Sequence, residues 1–232
     1  MTSGGYRELD AAAIIETIER LERRICERFP DAGLGRVASE LRAVAQTTAA
    51  RIHELRKPNR ALRAGVAFMI LLILSILGVA VAGLRWPGDL ERFQEFAQVL
   101  ESAINDIVFV GIAIAFLVTI ERRIQRSRAL RAIHELRSIA HVVDMHQLTK
   151  DPEQFARERQ DTPSSPARRF DRFELARYLD YCSETLALTS KVAALWAQTF
   201  DDGLILSAVN EVEALTTGLS NKVWQKLMIL ES

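Results

Sequence analysis

The chain has 232 residues, enough for one or two ordinary domains, with 30 basic against 30 acidic side chains and no net charge. The charge is segregated, because residues 64–84 and 104–120 hold most of the apolar excess and almost no ionisable group. This distribution excludes a soluble enzyme built on one continuous core, a disulfide-stapled secreted domain and a basic protein that coats nucleic acid.

In chain order, Ile14, Ile18, Leu21, Ile25 and Phe29 recur at helical spacing. Asp10 is placed to cap this helix and Phe29-Pro30 to end it. After a turn at Pro30-Asp-Ala-Gly33, Leu34, Val37, Leu41, Val44, Thr48, Ile52 and Leu55 form a second stripe that runs to Pro58. Residues 1–60 therefore predict a cytoplasmic N-terminal helical hairpin. Gly33-Leu-Gly35 opens a helix without a preceding strand or further glycines, so it reads as a turn and not as a dinucleotide loop.

The uncharged run Ala64–Leu84 would make about 31 Å of helix, the thickness of a bilayer's hydrocarbon core. It predicts a first transmembrane helix within 61–86, and it starts too late to be a secretory signal. A second span is expected at 104–121, joined to the first by a short external amphipathic segment at 87–103. Arg51, Arg56, Lys57, Arg60 and Arg63 precede the first span, and Arg122, Arg123, Arg126, Arg128 and Arg131 follow the second. The connection carries Arg85 and Arg92 against Asp89, Glu91, Glu95 and Glu101. Both termini are therefore expected in the cytoplasm. Of the 30 basic residues 25 are Arg, a bias that suits a GC-rich bacterial genome and so the inner (cytoplasmic) membrane.

From Asp89 no Pro interrupts the chain until Pro152, and Gly111 is the only Gly between them, so a long helix is the economical reading. Its last part, 122–150, would continue into the cytoplasm along Ala129, Ile133, Leu136, Ala140 and Val143. A short helix and linker follow at 151–170, twice broken by proline. In 171–232, Leu175, Leu179, Cys182, Leu186, Thr189, Ala193, Trp196 and Phe200 alternate spacings of four and three. That is the seam of a packed helix pair or coiled coil. Ile205, Val209, Val212, Leu219, Val223, Leu227 and Leu230 supply its antiparallel partner. Leu175, Leu179, Leu186 and Trp196 are the candidate interaction seam. Cys26 and Cys182 both read as small apolar core residues.

Candidate sites are few. Ile-His-Glu-Leu-Arg occurs at 52–56 and again at 133–137. Glu54 could face Arg137, and Glu135 could face Arg56, to lock two juxtamembrane helices in register, although chance alone can produce such a repeat. Asn105 and Asp106 could ring a pore mouth or simply sit at the outer interface. His134, His141, Asp144 and His146 are types that bind metal. On a helix, however, His134 and His141 stand about 10 Å apart, too far for one ion, and His146 turns away. The rim of a helix interface suits them better. No metal, cofactor or catalytic signature survives.

The stretches His134–Pro152 and Val209–Leu227 resemble segments of uncharacterised bacterial two-transmembrane helical proteins. The resemblance covers under a fifth of the chain, implies a bacterial membrane setting and carries no activity or site residue.

The expected architecture is an all-α membrane protein with a two-helix transmembrane hairpin and a cytoplasmic helical-hairpin or coiled-coil domain. The expected role is a non-enzymatic scaffold, adaptor or accessory subunit in contact with the lipid bilayer, as a homo-oligomer or in a larger membrane complex, without nucleic acid. The rival is an oligomeric channel or membrane-disrupting effector gated by its cytoplasmic helices. An enzyme built on His141 and Asp144 would need ligands from elsewhere.

Overall fold

A computed structural model describes residues 8–56, 90–155 and 170–231, with isolated positions between 64 and 78 and at 163. Of the expected first span, 64–84, only eight scattered positions between 64 and 78 are described, and most of the 151–170 linker lies outside the described residues. The described chain is all-helical, and no strand occurs among the described residues. It divides into two compact units, one formed by Met1–Glu54 with Arg126–Ser232 and the other by Leu55–Gln125.

In the first unit, α1 runs Ala11–Arg28. The Asp10 carboxylate accepts from the Ala12 N–H at 2.9 Å, satisfying one of the donors a helix start leaves open. Ile14, Ile18, Leu21 and Ile25 are buried, each contributing about 1.5–3 kcal/mol from removal of apolar surface from water. The helix stops at Phe29, whose N–H bonds back to the Ile25 carbonyl. After the turn, α2 covers Leu34–Arg56 and buries Leu34, Val37, Leu41, Ala45 and Ile52. Arg42 on α2 donates to Glu22 on α1 at 2.7 Å. Cys26 is exposed, and its Sγ sits so near Gly35 that a Cβ there would approach it to 2.9 Å. This corrects the core assignment: Cys26 falls one residue past Ile25 and so off the buried stripe.

Helix α3, Leu90–Leu148, is a single run of 59 residues, so the boundaries expected at 103 and 121 mark no break in the backbone. Its apolar residues change environment along the sequence. Ile104, Val108, Phe109, Ile112, Phe116, Ile120 and Ile124 are exposed, Phe109 and Phe116 by 72% and 64%. From Ala129 onward, Ala132, Ile133, Leu136, Ile139, Ala140 and Val143 are buried. A short 3-10 turn follows at Pro152–Phe155.

Helix α4, Arg172–Thr199, opens with a capping box in which Asp171 accepts from the Glu174 N–H at 2.7 Å and Glu174 accepts from the Asp171 N–H at 3.0 Å. Helix α5, Gly203–Glu231, starts behind Asp202, which accepts from the N–H groups of Leu204 and Ile205. The two helices pack as a hairpin, and α1 lies against α4. Buried Thr185, Thr189 and Thr216 each return their hydroxyl to a carbonyl of their own helix, Tyr181, Thr185 and Val212 respectively, at 2.7–2.9 Å. The indole Nε1 of Trp196 is buried without a hydrogen-bond partner among the described residues, while its ring stacks on Phe200 at 6.0 Å.

Candidate functional site

The expected seam residues Leu175, Leu179, Leu186 and Trp196 are all buried inside this unit. Their apolar surface is consumed within the chain. The outward side of α5 instead presents Leu204, Leu206, Trp224, Met228 and Ile229.

Arg137, one of the four residues of the expected pairing, has a partner other than the expected Glu54. Arg137 donates to Glu211 on α5 at 3.1 Å and not to Glu54, because the α5 carboxylate is the one its helix face meets. Both partners are about half exposed, so the pair contributes at most about 1 kcal/mol. Glu54 and Glu135 are exposed, and the side chain of Arg56 lies outside the described residues. Asn105 is exposed on α3, and Asp106 belongs to that helix with its side chain outside the description. His134 and His141 are exposed. Asp144 accepts instead from Gln147 Nε2 at 2.7 Å. No group of three His, Cys, Asp or Glu that could hold a metal ion occurs among the described residues.

A cleft of about 840 Å³ is lined by the α1–α2 turn, the last turns of α3 and the start of α4. Its aromatic wall is assembled from distant segments. Phe29 stands edge-on to Phe170 at 5.1 Å and to Tyr178 at 5.4 Å, the ring geometry favoured by aromatic quadrupoles. Lys150, just beyond α3, holds its ammonium 4.4 Å from the Phe170 ring centre and 5.2 Å from that of Tyr178. Arg28 lies over Phe173 at 5.6 Å, so both cations rest on aromatic faces. Burial pushes the Tyr178 hydroxyl well above its ordinary range, reinforced by Cys182.

His146 projects from α3 toward the α1–α2 turn, and a Cβ at Gly33 would come within 2.5 Å of its Cε1. Desolvation lowers its pKa below the ordinary 6.5, helped by the positive charges of Lys150 and Arg36. Val142 and Met145, three apart on α3, complete the cleft with apolar surface 44% and 68% exposed.

Behind the cleft, Lys226 of α5 donates to the Gln147 carbonyl. Burial lowers its pKa, and the charges of Asp151, Cys182 and Asp144 oppose that fall. Sequence reading missed this assembly. Gly33, His146, Lys150, Phe170 and Tyr178 share no local spacing, and the one visible signal was the glycine of the turn.

No family model matches the chain, and no curated protein or solved structure is significantly similar to it.

Proposed function

We propose that the chain is a non-enzymatic scaffold, adaptor or accessory subunit of a bacterial inner membrane, working through helix–helix assembly or partner docking. The observation that carries the reading is the change along α3, where bulky apolar side chains stand exposed as far as Ile124 and their counterparts from Ala129 are packed into a core. Among the described residues this is the one helix long and apolar enough to cross a membrane. Exposed Phe and Ile at that density have a favourable environment in hydrocarbon and an unfavourable one in water.

In this reading residues 64–84 form the other half of a two-span hairpin, both termini are cytoplasmic, and α4 and α5 pack as a coiled-coil-like hairpin below the bilayer. The outward apolar residues of α5, Trp224 and Met228 among them, favour contact with a second copy or a larger membrane complex.

The test has two parts. Phe109→Arg with Phe116→Arg should release the protein from membranes washed at high pH; retention would sink the membrane reading. The protein mass of the full chain in lipid nanodiscs should be at least twice 26.1 kDa or include a stoichiometric partner, and Trp224→Glu should reduce it. A monomer that never assembles would refute the scaffold reading, and ion flux abolished by Asp106→Ala would replace it with a channel.

A further inference from the structure

We infer that the turn between α4 and α5 is seated in the headgroup layer of the lipid bilayer, with Leu204 and Leu206 at the start of α5 turned into it, an assignment that rests on the membrane reading of α3.

The placement follows from three side-chain links between α3 and α5. Arg126 donates to Asp202 at 2.6 Å, Arg137 to Glu211 at 3.1 Å, and Lys226 to the Gln147 carbonyl at 2.5 Å. The linked residues are 76, 74 and 79 positions apart in sequence, so α5 lies parallel to the last part of α3 in nearly constant register. Its first turn is thereby held at the height of Arg126. Along α3 the exposed run of bulky apolar side chains ends at Ile124, two residues before that arginine.

The depth follows from helix geometry. In this register Leu204 is level with Arg128, about 6 Å past Ile124 along the axis at about 1.5 Å per residue. The headgroup layer outside the hydrocarbon is about 5–7 Å deep on each side. Side chains on a helix tilt toward its N-terminus, which for α5 is the direction of the bilayer.

The side chains suit that layer. Leu204 and Leu206 are 59% and 50% exposed, while Ile205 between them is fully buried. Leu9 joins them at this end of the unit, its N–H held at 2.8 Å by Gln198 on the last turn of α4. Leucines seated at a bilayer surface are withdrawn from water without crossing the hydrocarbon. The acids of the turn set how far it enters. Asp202 is offset by Arg126 and by the Leu204 and Ile205 N–H groups, whereas Asp201 is exposed, and a carboxylate is costly in hydrocarbon. The turn therefore stops among the headgroups. Trp224 lies about 30 Å further along α5, so this patch is separate from the one proposed for assembly.

The experiment uses the full chain with Cys26→Ser in phosphatidylcholine nanodiscs, carrying one nitroxide at a time on Phe116→Cys, Leu204→Cys, Leu206→Cys or His141→Cys. Cys182 is buried and stays unlabelled. Oxygen concentrates in hydrocarbon and a polar nickel chelate in water, so the ratio of their collision rates with the nitroxide reports depth. The ratio should fall from Phe116 through Leu204 and Leu206 to His141. Melting followed by circular dichroism identifies any labelled chain that does not fold, and the other leucine position then carries the test.

A leucine ratio no higher than that at His141, with Phe116 still in lipid, overturns the inference and leaves the membrane reading standing. A water-like ratio at Phe116 removes both. Shielding of the leucine positions from oxygen and chelate alike assigns the turn to a second copy of the chain, and the lipid assignment falls.

Discussion

Lys226 on α5 donates from Nζ to the backbone carbonyl of Gln147 at the end of α3, at 2.5 Å. A half-buried ammonium thus closes the last turn of one helix, where carbonyls lack partners within the helix itself. Lys226→Met keeps much of the side chain's apolar stem but removes the donor. It should destabilise the protein by about 1.5–3 kcal/mol, the range for hydrogen bonds to charged groups. Thermal or denaturant unfolding followed by circular dichroism reads the loss, and an unchanged midpoint would show the bond to be dispensable.

The contact of Gly33 with His146 predicts a reversal of sign. Gly33→Ala places a methyl 2.5 Å from the His146 Cε1, and overpacking of this kind costs about 1–3 kcal/mol. In a His146→Ala background the ring is gone. The same substitution should then be neutral or stabilise by up to about 1 kcal/mol, because alanine restricts the unfolded chain more than glycine does. A double-mutant cycle measures the coupling, and additive effects would refute it.

His146 also sets a pH dependence. Its native pKa lies below the ordinary 6.5, so in the window between the two values the unfolded chain takes up a proton that the native chain refuses. Stability is therefore lost as pH falls through 6.5 toward the native value. The melting temperature of the unmodified chain should drop more between about pH 7.5 and about pH 5.5 than that of His146→Gln. Parallel curves would show that the ring does not couple to folding.

The two cysteines should separate cleanly. Burial pushes the Cys182 thiol up to about 12, against the opposing charges of Lys226 and Lys150, so almost no thiolate forms near neutrality. Cys26 is exposed. A thiol reagent should modify Cys26 in the native protein and Cys182 only after unfolding, as mass spectrometry of the labelled peptides would show. Rapid native labelling of Cys182 would mean that the α4–α5 core opens readily.

Much of the helical pattern was legible because its causes are local. Asp10 and Phe29 bracket α1 as their cap and stop chemistry requires. Leu175, Leu179, Cys182, Leu186, Thr189, Ala193 and Trp196, picked out by spacing alone, are all buried in α4. Tertiary pairing was not legible. Arg137 had several carboxylates within plausible reach of its helix face, and the repeat at 52–56 suggested Glu54, whereas the fold brings Glu211. The cleft was hidden for the same reason: Phe29, Lys150, Phe170 and Tyr178 become neighbours only once three helices and two connections have packed, and no spacing along the chain records that.

The buried threonines of the α4–α5 hairpin carry one more implication. Because Thr185, Thr189 and Thr216 satisfy their hydroxyls within their own helices, none of these three bonds ties one helix to the other at a fixed height. Alignment at those positions is decided by the sizes of the facing side chains, such as Ala193 and Trp196, as in a lock cut only by depth. Exchanging large for small residues across the pair would therefore slide one helix along the other without stranding any of the three hydroxyls. The hairpin is in this sense adjustable by volume alone.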